Sequence, residues 1–94
     1  MSILDQIATK IIKEQELIVG PLAWSEARKV SGLKIVDSKK GEVTFNDSDQ
    51  KEVINRLVTQ YSRLFGQASR EVCREATVSL VADMAPSEVP SSLA

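Results

Sequence analysis

Ninety-four residues make one domain with a modest core, because a chain this short leaves much of its surface in water. An apolar fraction of 43% beside 27% charged residues excludes wholesale disorder, and a net charge of -1 excludes affinity won mainly by neutralising phosphates. With aromatics at 4%, the core must be built from Ile, Leu, Val and Ala, which suits helix packing better than a sandwich.

From Ser2 the segment ILDQIATKIIKEQELIV places Ile3, Leu4, Ile7, Ala8, Ile11, Ile12 and Ile18 at steps of three and four, and predicts a helix to about Ile18. Ser2 and Asp5 stand at capping-box spacing at its start. Gly20 and Pro21 end or bend it, since proline lacks an N–H and its ring presses on the carbonyl of Leu17. PLAWSEARKV predicts a second, short helix with Leu22, Ala23, Ala27 and Val30 on one side and Gly32 beyond its end. In LKIVDSKKGEVTFND, the inward set Leu33, Ile35, Val43 and Phe45 alternates with Lys34, Val36, Glu42 and Thr44, which predicts a β-hairpin over 33–46.

A helical pattern then opens near Asp47 or Ser48, with Asp47 and Gln50 as its capping box, and steps through Ile54, Leu57, Tyr61, Leu64, Ala68, Val72, Ala76 and Leu80. Unbroken to Asp83 this helix would be roughly 54 Å long, against roughly 30 Å for a compact domain of this length. The pattern therefore predicts either a break at Gly66 or a protruding helix covered by another subunit. The last ten residues, APSEVPSSLA, have no period and predict a disordered tail at 85–94 outside a domain of 1–84. The expected fold is thus mainly helical α+β: helix, short helix, hairpin, long helix, tail.

A shift of 46 positions lays Ile7 on Val53, Ile11 on Leu57, Ile12 on Val58, Ile18 on Leu64 and Val19 on Phe65, with Gly20 on Gly66 and Arg28 on Arg74. That register suggests two pseudo-symmetric helix-Gly-helix units joined by the hairpin. The segment LIVGPLAW resembles a short helical stretch with a Gly-Pro-Ile-Ala core near the ends of some bacterial signalling proteins, a likeness of eight residues from which no function follows.

Chemistry is scarce. The absence of histidine removes the usual base near neutral pH and the commonest metal ligand, and no phosphate-cradling glycine motif is present, so neither cofactor nor metal is expected. Glu26 and Glu71 are the carboxylates a small enzyme or ligand carrier would use, but the pattern does not cluster them. Cys73 beside Arg70 and Arg74 reads either as a reactive thiol or as a small buried hydrophobe. One cysteine makes no internal disulfide, no secretory leader or membrane-spanning run is evident, and the cytoplasm is the expected compartment.

Two surfaces remain. Arg56, Arg63, Arg70 and Arg74 would form one stripe on a continuous helix and suit nucleic acid, although Glu52, Glu71 and Glu75 are placed to offset them. Val19, Leu22, Trp24, Tyr61 and Phe65 would form an apolar contact surface for another protein or a second copy of the chain, with a homodimer expected. Ser91, Ser92, Leu93 and Ala94 could be read by an end-capturing receptor. The leading expectation is a non-enzymatic regulatory or scaffold module; nucleic-acid binding comes second and a small enzyme or carrier third.

Overall fold

Helix α1 occupies Ile3–Val19 and α2 Leu22–Ala27 in the computed structural model, which describes residues 2–94. Strands β1 (Leu33–Asp37) and β2 (Glu42–Phe45) follow, then α3 (Gln50–Phe65), α4 (Gln67–Ala82) and two 3-10 turns, Pro86–Glu88 and Ser91–Leu93. The mainly helical α+β architecture is the one the sequence pattern predicts. The Ser2–Asp5 capping box forms in full. At α3 the cap is Asp49, whose side chain accepts from the Glu52 N–H; the expected Asp47–Gln50 pair does not form, because Asp47 accepts instead from the Asp49 N–H.

The hairpin pairs Leu33 with Phe45, Lys34 with Thr44 and Ile35 with Val43, then slips by one residue around Val36. Leu33 and Val43 are buried and Ile35 and Phe45 half-buried, while Lys34, Val36, Glu42 and Thr44 are exposed, as the alternation requires. A two-stranded ribbon is marginal alone. Here its tip is fixed to α1 by the Thr9 hydroxyl, which donates to the Gly41 carbonyl at 2.8 Å.

Gly66 breaks the long helical pattern at φ 91° and ψ 178°, a region other residues enter only with strain. The break lets α4 fold back beside α3 and α1, so the longest extent of the molecule is 32 Å and no helix protrudes. It also resets the phase of the apolar stripe. Ala68 leaves the core face and α4 buries Ser69, Cys73 and Thr77 instead, while on α3 the stripe steps from Tyr61 to Phe65 and leaves Leu64 47% exposed. On α1, Ile18 is likewise displaced to 61% exposure, since the buried stripe runs Ile7, Ala8, Ile11, Ile12, Gln15 and then turns to Val19.

The 46-residue register is a real structural repeat. The buried positions of α1, namely 7, 8, 11, 12 and 15, correspond one for one to those of α3, Val53, Ile54, Leu57, Val58 and Tyr61. Both units end their first helix on glycine at positive φ, with the Gly20 N–H on the Glu16 carbonyl and the Gly66 N–H on the Ser62 carbonyl, each at 2.8 Å. The link between units is reciprocal. Gln15 Nε2 donates to the Ser69 carbonyl (3.1 Å), and its counterpart Tyr61 Oη donates to the Ala23 carbonyl (2.7 Å), where Ala23 and Ser69 are themselves counterparts. Such exchanged bonds are what a two-fold axis between α1 and α3 produces.

The segment 85–94, expected as a disordered tail, is ordered on the helices. Pro90, Ser92 and Leu93 are buried, and Asn55 Oδ1 accepts from both the backbone N–H (3.0 Å) and the hydroxyl (2.6 Å) of Ser92. Composition pointed to disorder because the two apolar anchors, Val89 and Leu93, stand among proline, serine and other small or polar residues, and the docking surface on α3 and α4 lies far back in the chain.

Candidate functional site

The pseudo-dyad creates two counterpart grooves, one between α1 and α4 and one between α2 and α3. In the first, Lys10, Glu14, Leu17 and Ile18 face Val72, Glu75, Ala76 and Ser79 across a volume of about 550 Å³. In the second, of about 370 Å³, the counterpart positions carry Arg56, Gln60, Arg63, Lys29 and Val30. One architecture therefore presents two different linings.

The α2–α3 groove is satisfied within the chain. Glu26 accepts from Lys29 Nζ (2.9 Å) and Gln60 Nε2 (2.8 Å), and these contacts, the lysine first, hold its carboxyl below the usual range. Arg56 donates to the Ser31 carbonyl (3.1 Å) and pairs with Asp47 (3.4 Å) and Glu52 (3.9 Å), while Arg63 donates to Gln60 Oε1 (2.9 Å). Asp47 is also held low, first by the Asp49 N–H and then by Arg56. Each cation of this groove is tied to a neighbour.

The α1–α4 groove is not. Leu17 is 80% exposed and Ile18 61% exposed, the former at the position Arg63 occupies in the other unit. Lys10 pairs only with Glu14 on its own helix (3.3 Å), and among the described residues Glu75 makes no ion pair. These groove residues were missed by sequence reasoning. A signal was present: Leu17 is apolar yet lies off the stripe that Ile7, Ile11 and Gln15 define.

The residues singled out from sequence are distributed differently. Trp24 and Tyr61 belong to the core rather than to a contact surface: Trp24 is 4% exposed with Nε1 donating to Glu16 Oε2 (2.8 Å), and Tyr61 is fully buried and stacked on Phe65 at 6.3 Å. Burial also raises the Tyr61 hydroxyl far above its ordinary pKa. Val19 and Phe65 are half-buried counterparts beside the two glycines, and Leu22 alone of the five is well exposed, at 46%. The arginine stripe is divided by the break, with Arg56 and Arg63 on α3 and Arg70 and Arg74 on α4, the last paired with Glu71 (3.2 Å).

Cys73 is fully buried, and burial pushes its thiol up to about 11, so it stays protonated near neutral pH and packs as a small hydrophobe. Glu26 is buried under Lys29 while Glu71 is exposed on α4, so the two do not form a paired-carboxylate site. Among the described residues no group of three or more Cys, Asp or Glu side chains is placed to hold a metal ion, and no helix is long and apolar enough to cross a membrane. No protein family, curated protein or solved structure matches the chain with significant similarity.

Proposed function

We propose that the chain is a small non-catalytic module that works by contact with protein, in the cytoplasm, and that the α1–α4 groove makes the contact. The observation that carries this reading is the contrast between the counterpart grooves. The fold places no apolar demand on the Leu17 position, because Arg63 fills it in the second unit. Leaving a leucine 80% exposed forgoes about 1–2 kcal/mol of burial, which a partner covering it recovers. An apolar ridge beside a groove, with polar residues at its rim, is the usual composition of a protein contact. A lone, buried, protonated thiol agrees with a reducing compartment. Nucleic-acid binding is the weaker reading, since the α3 arginines are already held by Asp47, Glu52 and Gln60.

The test is a photo-reactive amino acid at position 17, introduced in cells that express the chain. Covalent adducts with protein are expected there, and few from the same probe at Thr59 on the other groove. Equal yields at the two positions, or none at position 17, would overturn the reading.

A further inference from the structure

Apart from that groove, we infer that the segment 85–94 is a strap lying in a peptide-binding seat on α3 and α4, from which a linear segment of another protein displaces it. The strap shows what chemistry the seat accepts. Pro90 and Leu93 are buried, Ser91–Leu93 lies on both helices, and Asn55 Oδ1 accepts from the N–H and the hydroxyl of Ser92. The strap is lightly held. Its backbone bonds close turns of its own, such as Glu88 N–H to Ala85 and Leu93 N–H to Pro90. Its other tie to α3 is the Ser87 carbonyl, which accepts from Lys51 Nζ at 2.9 Å on the exposed surface. Among the described residues Leu93 is the only member of the buried apolar cluster beyond Cys73, so the strap can open locally while α1, α3 and α4 keep their packing.

The strap also under-fills its seat. A cavity of about 290 Å³ opens where Ile3, Leu4 and Met84 meet the start of α3, and the strap presents to it only the exposed Glu88. A carboxylate gains nothing from an apolar wall, whereas a leucine at that place would bury its side chain there. A second gap, of about 210 Å³, lies between Val89 and Ser91 on the strap and Glu52 and Asn55 on α3. The sequence that fits the seat is therefore Leu-Val-Pro-Ser-Ser-Leu, and the chain's own strap, with glutamate first, is the weaker occupant. A second copy brings only the same glutamate, and competes with a strap held by its tether at an effective concentration on the order of millimolar. A different protein is the occupant that gains.

Binding of two fluorescent peptides to the folded full chain tests this: SEVPSSLA, and the same peptide with leucine in place of glutamate. The leucine peptide should bind about tenfold tighter than the natural one. Leu93→Asp, which frees the chain's own strap, should raise that affinity about tenfold further, the factor by which a strap closed about nine parts in ten competes. Asn55→Ala added to it should lower the affinity about tenfold. In the intact chain, excess leucine peptide should speed exchange of the Ser92 N–H while α1 and α3 stay protected, a readout that stands even if Leu93→Asp fails to fold. Absence of binding at about 1 mM, equal affinity for the two peptides, indifference to Asn55→Ala or to Leu93→Asp in a folded chain, or unaltered Ser92 exchange would each overturn the inference. None of these readouts involves Leu17, so the position-17 probe tests the groove separately.

Discussion

Replacing Gly66 with alanine should convert a folded-back monomer into a domain-swapped dimer, whereas the same change at Gly20 should only destabilise. Both glycines sit in a region near φ 70–90° with extended ψ, where another residue costs about 1–3 kcal/mol. Alanine also favours a helix interior over glycine by about 1 kcal/mol. Together these bias Gly66→Ala by about 2–4 kcal/mol towards one helix from Gln50 to Ala82, a shift of roughly thirtyfold to several hundredfold. Such a helix would be about 50 Å long, beyond the 32 Å of the folded molecule, so α4 could regain its packing only on the α1 and α3 of another copy. Gly20→Ala carries the same strain but no such exit, because Pro21 cannot continue α1 without clashing on the Leu17 carbonyl. Light scattering after refolding at high concentration, with both changes made on Leu17→Asp so that surface association is not counted, should show a dimer only for Gly66→Ala. Monomers of equal, lowered stability for both would refute the argument that Gly66 is a hinge.

Gln15→Leu should be neutral to stabilising by up to about 2 kcal/mol, because Gln15 Oε1 is buried without a donor and the penalty of about 1–3 kcal/mol offsets the hydrogen bond to the Ser69 carbonyl and the weak one to Cys73 Sγ; denaturant unfolding that shows a clear loss would contradict this. Asn55→Ala should cost about 1–3 kcal/mol by stranding both Ser92 donors, and hydrogen exchange should show faster opening of 85–94. Stability should fall as pH rises above about 9: the thiol of Cys73 ionises near 9.0 when unfolded but near 11 when folded, so the unfolded chain binds fewer protons in that window. Tyr61, also raised, extends the loss above pH 10, and Cys73→Ala should flatten the first part of the curve.

Element types were legible because local periodicity states them. The caps Ser2 and Asp5, the alternation from Leu33 to Phe45 and the glycine at 66 each carry their instruction within a few residues. The proposed contact surface was less legible for a physical reason. Trp24 and Tyr61 look like interface anchors in isolation, yet each has a polar tip satisfied across the fold, by Glu16 and by the Ala23 carbonyl, and only the tertiary structure brings those partners near. Ile18 and Leu64 were assigned inward because helical spacing allows a step of three as readily as one of four after Gln15 and Tyr61. Both stand outward, at matching positions of the two units, because the buried stripe steps by four from Gln15 to Val19 and from Tyr61 to Phe65 and so passes them by.

The repeat explains the parts that seem to interrupt it. Position 9 of the first unit and position 55 of the second are counterparts, and both are tethers. Thr9 holds the hairpin tip through Gly41, and Asn55 holds the C-terminal turns through Ser92. Each unit therefore folds its trailing segment back onto its own first helix at the same place, by a hydroxyl donor in one case and an amide oxygen acceptor in the other. The two appendages differ entirely in sequence and secondary structure, so their shared anchoring point follows from the geometry of the helix-Gly-helix unit. The same logic separates necessity from choice on the surface. Where both units carry a feature, such as Gly20 and Gly66, the fold demands it; where one carries Leu17 and the other Arg63, the fold accepts either. The leucine then needs a reason from outside the chain's own packing, and the proposed contact with a partner would supply one.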